Sequence, residues 1–396
     1  MKRNLSGVAK YFIIFSIQFI ITVCLLEIGL RMLEPYNHNL RVLLYNPNSL
    51  GEYEQINTLE ALLNTRPRGF KAYVKNRIGF ILNSRSFSTK EYSGGKPQGY
   101  YRILAIGDSF TAGSGGVPHS QHWAVLLEKY LKSTVSDKID VIKLGVGGVG
   151  PRFELRLWQL EGKKLEADLV VLAFCIGNDF TDEQGNDTPN SWFHSFTESS
   201  YMVRLVYNLY RLRGVSRSAE IMMSDQTDSN QRGGYETQGY IYDPNQATFV
   251  RPTFLNVVSS RMAITHKASH ALFAAKFANL KPVLSLFRDS VISSNAKFVV
   301  MMIPDEYQVY PPLLEEAAHH LKRKVNDYNV NLPQTQLSQF FQENNIEYLD
   351  LLPSFIQQGK SKTLYRLQDT HWNIEGNQLA ATILTEYLTK FVEPYN

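Results

Sequence analysis

The sequence contains few cysteines, little net charge and no evident internal repeat. Its two cysteines, Cys24 and Cys175, lie in apolar runs and offer no plausible disulfide framework. The net charge is only +4 over 396 residues, and part of it comes from Lys2, Arg3 and Lys10. A basic nucleic-acid-binding face is therefore not expected, and no nucleic-acid partner is predicted.

A long apolar run stands near the N-terminus. Residues 11–30, YFIIFSIQFIITVCLLEIGL, are apolar except for Ser16, Gln18, Thr22 and Glu27. At ~1.5 Å per residue, a helix of this length spans about 30 Å, one hydrocarbon thickness. No small-residue cleavage site follows, which favours an uncleaved signal-anchor over a cleaved signal peptide. The basic residues ahead of the run predict a cytoplasmic tip and membrane span over 1–33, with the remainder periplasmic or extracellular.

Two further regions follow the predicted span. Residues 34–99 show no strong periodicity and are interpreted as a connector that packs on the main domain. From residue 100 to 396, apolar runs of strand length alternate with helical patterns, which predicts an α/β domain with a parallel sheet. The predicted strands are Arg102–Asp108, Asp140–Val146, Asp168–Ile176, Ala296–Pro304 and Ile346–Leu352. Ligands of such sheets bind at the carboxyl ends of the strands, so the loops there are the candidate sites.

The loop after the first strand contains Ser109 within GDSFTAGSG. A serine at this position is either a helix cap or a nucleophile, and the tripeptide Gly107-Asp108-Ser109 alone does not decide between the two roles.

The loop after the second strand is rich in glycine. Gly145, Gly147 and Gly150 satisfy G-x-G-x-x-G, which raises a dinucleotide-binding alternative. That motif normally follows the first strand, and Asp179 lies well beyond the ribose-binding spacing of about 20 residues after the start of the motif. A glycine-rich turn that offers a backbone N–H to an oxyanion is the other interpretation. No cofactor is predicted.

Two more loops carry polar side chains. The loop after the third strand holds Gly177, Asn178 and Asp179, where Asn178 is a turn former or an amide donor and Asp179 is interpreted as a turn or cap residue. The loop before the last helix holds Asp369, His371 and Asn373, of which Asn373 is expected to cap that helix.

Together the four loops resemble the motif blocks of the SGNH/GDSL hydrolase family, in the family's order. The resemblance covers about residues 100–396 and implies a flavodoxin-like five-stranded parallel sheet between helices. It also implies Ser109 as nucleophile, His371 as general base, and an oxyanion hole of the Ser109 N–H, the Gly145 N–H and the Asn178 amide. A histidine of near-neutral pKa can take the serine proton and return it to the leaving alcohol.

One position departs from the family pattern. The family usually has Asp three residues before the histidine, where this chain has Gln368, and Asp369 stands one place closer. Asp369 is predicted to orient His371 nonetheless. The alternative is a Ser-His dyad in which Gln368 or a backbone carbonyl holds the imidazole.

Between the third and fourth strands the chain inserts more than an ordinary loop, at about residues 180–290. Within it, Met202, Leu205, Val206, Leu209 and Leu212 share one face of a predicted helix, which packs on the surface or serves as a lid or membrane-facing helix. His319 and His320 are adjacent on a helix and lack further ligands, so no zinc site is predicted.

The sequence thus predicts a membrane-anchored serine esterase that removes O-acyl groups, most plausibly acetyl, from an extracytoplasmic carbohydrate or related polymer. Two alternatives stay open at this point. One is an O-acyltransferase that passes the acyl group to a sugar hydroxyl, and the other is a non-catalytic glycan-binding module.

Overall fold

The computed structural model describes residues 7–33, 56–64, 83–85, 87–113, 116–182, 200–203, 205–206 and 242–392. The chain divides into two compact units, residues 1–52 with 185–227 and residues 53–184 with 228–396. Both cysteines are free.

The first unit contains helix α1, Gly7–Leu33, of 27 residues. Its stretch Ile14–Leu33, with a mean hydropathy of 1.8, is long and apolar enough to cross a membrane, judged by length and composition. The Glu27 carboxylate accepts hydrogen bonds from the Tyr201 N–H (2.9 Å) and the Met202 N–H (3.0 Å), and so caps the short helical segment that begins there. Of the predicted amphipathic face, Leu209 and Leu212 lie outside the described residues.

The second unit is built on a sheet of five parallel strands in the order β2-β1-β3-β4-β5. This order is that of flavodoxin-like sheets, so the predicted fold class is confirmed. The strands are β1 Tyr101–Gly107, β2 Ile139–Gly145, β3 Leu169–Cys175, β4 Lys297–Ile303 and β5 Glu347–Asp350.

Helices connect the strands. They are α2 Leu59–Asn64, α3 Ser109–Ala112, α4 Trp123–Thr134, α5 Pro151–Leu160, α6 Asp179–Asp182, α7 Arg251–Met262, α8 His270–Ile292, α9 Glu306–Val309, α10 Pro311–His320, α11 Leu332–Glu343, α12 Leu352–Gly359 and α13 Ile374–Val392.

Alternate strand residues face opposite sides of the sheet, and helices cover both. On one side, Ile103 and Ala105 of β1 belong to the same buried cluster as Trp123 of α4 and Leu384 of α13. On the other side, Phe298 of β4 packs against Phe287 of α8, with ring centroids 5.2 Å apart. β1 and β3 are buried along their whole length, which explains why both read as almost continuous apolar runs.

The predicted strands overlap all five observed ones, with small differences at their ends. β4 ends at Ile303 because Pro304 has no N–H to continue the ladder. β5 ends at Asp350, earlier than the predicted Leu352, because the Asp350 carboxylate accepts the Leu352 N–H at 2.9 Å and α12 begins there.

Residues 87–96 of the predicted connector lie along β2 and its neighbours. Phe87 is fully buried, and Thr89 Oγ1 accepts the N–H of Lys143 on β2 at 3.4 Å. Lys96 forms an ion pair of 2.5 Å with Asp168. These contacts fasten residues 87–96 to the outer strand β2 and to the residue that precedes β3.

Candidate active site

The strand order reverses between β1 and β3, and the loops that follow these two strands meet there. At the end of β1, the buried Asp108 caps α3 by accepting the Phe110 N–H on Oδ1 at 2.8 Å. Ser109 is the first residue of α3 and is half-buried. Asp108 is therefore the residue that caps α3, and the Ser109 hydroxyl is left for other contacts.

Ser109, His371 and Asp369 form a continuous chain of hydrogen bonds. The Ser109 Oγ lies 2.8 Å from His371 Nε2, and His371 Nδ1 lies 2.6 Å from Asp369 Oδ1. With Nδ1–H donated to the carboxylate, Nε2 carries the lone pair and accepts the serine hydroxyl proton. A second acceptor, Asp108 Oδ2, is farther from Ser109 Oγ at 3.3 Å. This geometry suits a base-activated nucleophile.

The turn from Arg366 to His371 explains how the shorter spacing still brings Asp369 to the histidine. The Asp369 N–H donates to the Arg366 carbonyl at 3.2 Å, and Gln368 adopts a left-handed φ of 48°. Asp369 Oδ1 then accepts the backbone N–H of His371 at 3.1 Å as well as its Nδ1–H. One carboxylate oxygen thus fixes both the backbone and the ring of His371.

Asp369 is almost fully buried, and its second oxygen is also bonded. Thr248 Oγ1 donates to Oδ2 at 2.7 Å, and Arg366 Nη1 lies 3.9 Å from the same atom. Burial alone would raise the pKa of Asp369, but the charge and hydrogen bond of His371, then Arg366 and Thr248, hold it well below its usual range. The carboxylate is therefore ionised throughout the neutral pH range and can stabilise an imidazolium.

Thr248 is a residue that sequence reasoning missed. It lies within the insertion, where the backbone N–H groups of Thr248 and Phe249 donate to the carbonyls of Leu367 and Gln368 at 3.1 and 3.2 Å. A threonine in a polar segment gives no sequence signal, and its contact depends on this tertiary pairing.

We expect Thr248→Val to lower kcat about tenfold with KM unchanged, because a hydrogen bond to a charged group contributes about 1.5–3 kcal/mol. Thr248→Ser keeps the hydroxyl and should retain nearly full activity. Steady-state kinetics of both variants checks this, and a Thr248→Val enzyme within twofold of the parent would contradict the role.

The loop after β3 places Asn178 beside the nucleophile turn. Asn178 Nδ2 donates to Asp108 Oδ2 at 2.9 Å, which orients the amide. Burial raises the pKa of Asp108, against the opposing hydrogen bonds from Asn178 and the Phe110 N–H. Gly177 leaves no room for a side chain, since a Cβ there would lie 1.9 Å from Asp305 Oδ2. Asp179 accepts the Cys175 N–H at 2.7 Å and so holds the loop, as a turn residue does.

Gly145 contacts the nucleophile helix through its backbone. A Cβ at Gly145 would lie 2.0 Å from the Ala112 nitrogen, so only glycine lets β2 and α3 approach this closely. The neighbouring Val146 N–H donates to the Gly107 carbonyl at 3.0 Å. Because N–H groups alternate along a strand, the Gly145 N–H points away from β1. The oxyanion role of the Gly145 N–H stays a prediction.

The remaining candidates have structural contacts. Asn373 Oδ1 accepts the Gly376 N–H at 2.9 Å and caps α13. His320 Nε2 lies 2.8 Å from Asn256 Oδ1. Within the described ranges, no group of three or more His, Cys, Asp or Glu side chains is arranged to hold a metal ion.

A comparison with protein families finds a family model that matches part of the chain. Residues 265–394 match the family model described as "SGNH hydrolase-like domain, acetyltransferase AlgX". The predicted resemblance to SGNH hydrolases is thereby confirmed, and the matched segment includes Asp369 and His371. None of the curated proteins matches the sequence of this chain.

Several solved structures are similar to this one at low identity. The acetyl xylan esterase AlAXEase is 14% identical, with 73% of this chain and 100% of that chain covered and a TM-score of 0.38. The esterase EstA from Pseudoalteromonas sp. is 12% identical over 73% and 97% of the two chains, with a TM-score of 0.37. A lipase/acylhydrolase from Enterococcus faecalis is 11% identical over 74% and 98%, with a TM-score of 0.34. These likenesses are too distant to support an argument about activity.

Proposed function

We propose that the protein is a serine esterase that removes O-acyl groups through an acyl-enzyme on Ser109. The observation that carries this proposal is the 2.8 Å contact between Ser109 Oγ and His371 Nε2, with the ionised Asp369 on the far side of the imidazole. A serine hydroxyl is a poor nucleophile unless a base removes its proton, and this arrangement supplies the base. The complete hydrogen-bond chain disfavours a non-catalytic binding module.

In the first half-reaction, Ser109 Oγ attacks the ester carbonyl carbon and its proton passes to His371 Nε2. Asp369 stabilises the resulting imidazolium. The carbon–oxygen bond to the leaving alcohol then breaks, and His371 returns the proton to that alcohol. The product is an acyl-Ser109 ester and a free alcohol.

The tetrahedral intermediate carries a negative oxygen that needs preorganised donors. We assign the Ser109 N–H and the Asn178 side-chain amide to this role. The Ser109 N–H donates no hydrogen bond to any described residue. Asn178 Nδ2 carries two hydrogens, of which the bond to Asp108 orients the amide and the other is the proposed donor.

Asn178→Ala is expected to lower kcat by about 10²-fold while KM changes little, because one oxyanion donor is worth about 2.7–4 kcal/mol in the transition state. Steady-state kinetics on a p-nitrophenyl ester checks this. Asn256→Ala is a matched control, since Asn256 is exposed on α7 and its side chain contacts His320 of α10. An effect confined to KM would make Asn178 a substrate-positioning residue.

In the second half-reaction, an acceptor attacks the acyl-Ser109 ester, with His371 as general base. With water the reaction is hydrolysis, and with a sugar hydroxyl it is O-acyl transfer. The second candidate function is the O-acyltransferase, which the description of the matched family favours because it names an acetyltransferase.

A panel of p-nitrophenyl esters with acetyl, butyryl and longer chains, assayed with and without a sugar acceptor, tests the proposal. Ester cleavage in buffer alone supports the esterase, and cleavage that depends on the acceptor supports the transferase. Absence of turnover in both arms would contradict both candidates.

The proposed substrate is an acylated carbohydrate or related polymer outside the cytoplasm. Support comes from the apolar α1 with basic residues ahead of it, which suits a signal-anchor with the catalytic domain on the outer side. We infer the same division as from the sequence, with an anchor over 1–33, a connector over 34–99 and the SGNH domain over 100–396. We infer an insertion at about 180–290. Its last helix, α8, packs on the sheet and is followed directly by β4.

A further inference from the structure

A cavity of about 440 Å³ lies beside β2, and neither Ser109, Asn178 nor His371 lines it. Its wall includes one carboxylate, Glu128, against several basic side chains. These are Lys90, Lys129, Lys132, Lys143 and His119. The cavity is therefore a predominantly cationic site, separate from the candidate active site.

Lys143 is one of the residues that line the cavity. It lies on the outer strand β2 and is only 3% exposed. Its ammonium has a single hydrogen-bond acceptor, the Ala112 carbonyl at 3.5 Å, and no carboxylate among the described residues lies within 4.0 Å of it. Burial lowers the pKa of Lys143 to about 7. A buried ammonium without a counter-ion is costly, so an anion from outside the chain would stabilise it.

The other charges around the cavity do not neutralise Lys143. Glu128 is shared between Lys90 and Lys132, at 2.6 and 2.5 Å, and Lys90 also pairs with Asp140 at 2.6 Å. Lys129 has no ion-pair partner within the described ranges. The single carboxylate of the cavity is thus already engaged at its rim, and the interior remains positive.

The two histidines near Lys143 are neutral at neutral pH. Burial, and then the charge of Lys143, lowers the pKa of His119 to about 4. His122 is buried with Nε2 donating to the Phe110 carbonyl at 2.8 Å and Nδ1 accepting the Ala124 N–H, and burial holds its pKa well below the usual value. The two histidines therefore add no positive charge beside Lys143 at neutral pH.

We propose that this cavity binds a ligand through an anionic oxygen group, a phosphate or a carboxylate, with Lys143 as the buried counter-ion. The volume is in the range of small-molecule sites, about 300–1,000 Å³, so the cavity has room for a small organic anion. A bound anion favours the charged amine and draws a proton onto Lys143 when the solution is above neutral pH.

The binding test uses the full chain and two probes that do not titrate near neutral pH, inorganic sulfate for a phosphate group and acetate for a carboxylate. Isothermal titration calorimetry at about pH 8, in two buffers of different ionisation enthalpy, should show saturable binding with net proton uptake. Lys143→Met should weaken binding about tenfold or more, while Lys360→Met, an exposed lysine near the opposite edge of the sheet, should not.

The outcomes separate the ligand classes and the proposal itself. Binding of sulfate alone indicates a phosphate group, and binding of acetate indicates a carboxylate. Sodium chloride at matched ionic strength controls for screening. Failure of both probes to bind the parent chain, or equal binding by Lys143→Met, would overturn the assignment.

The effect of Lys143→Met on the thermal stability of the chain can be measured without any ligand. The pKa of Lys143 is about 7 in the folded chain and 10.5 ordinarily, so the unfolded chain binds more protons between these values. The stability contributed by Lys143 therefore rises with pH through this window and is lowest below it. Without added anion, Lys143→Met should have a higher Tm than the parent at about pH 6, with a smaller difference at about pH 9. A lower Tm at the acidic pH would show that the ammonium is already compensated.

Discussion

Replacing Ser109 with alanine is expected to lower kcat for ester cleavage roughly 10⁴-fold or more and to leave the fold intact. The change removes one half-buried hydroxyl whose main contact is His371 Nε2 at 2.8 Å. Asp108, which caps α3 through the Phe110 N–H, is unchanged, so the helix keeps its N-terminal contact. Stopped-flow and steady-state assays with p-nitrophenyl acetate measure the loss.

Ser133→Ala is the matched control, because Ser133 is exposed on α4 and its hydroxyl donates only to the Tyr130 carbonyl. Mass spectrometry of the parent chain after a brief reaction should find an acetyl group on the peptide that contains Ser109, and none on that peptide in the Ser109→Ala variant. Activity of Ser109→Ala within tenfold of the parent would mean that another group forms the covalent intermediate, or that none forms.

The sheet could be predicted because the central strands β1 and β3 are buried along their whole length, which leaves nearly unbroken apolar runs in the sequence. The approach of Ser109 to His371, 262 residues apart, could be predicted from the motif order, with Ser109 after β1 and His371 just before α13. Strand ends were less predictable, because they depend on single contacts such as the one from Asp350 to the Leu352 N–H.

Contacts made by the insertion could not be predicted. Thr248 reaches Asp369 only because its backbone pairs with the turn at Leu367 and Gln368. The charge of the cavity beside β2 was equally hidden, since Lys143 stands in the sequence among apolar strand residues and its lack of a carboxylate partner is a property of the folded chain. Sequence patterns report burial and turns well, whereas they carry little information on which polar side chains meet.

Asp369→Asn is expected to lower kcat roughly 10⁴-fold, comparable with His371→Ala, because members of a triad act as a unit. The buried carboxylate accepts the His371 Nδ1–H at 2.6 Å, and its charge stabilises the imidazolium that forms when Ser109 gives up its proton. An asparagine has no charge and can turn its NH₂ toward Nδ1, which would place the proton on Nε2 and block the base. The double variant should then be little slower than either single one.

Asp350→Asn provides a control of the same local geometry. Asp350 also accepts the N–H of the residue two places on, Leu352, at 2.9 Å, but no histidine is bonded to it. Asparagine makes this turn contact as well as aspartate does, so the control should keep its activity and Tm. If Asp369→Asn behaved like Asp350→Asn, with a loss under tenfold, Asp369 would be only a turn residue. Catalysis would then rest on the Ser109–His371 dyad, with the Arg366–His371 turn holding the ring.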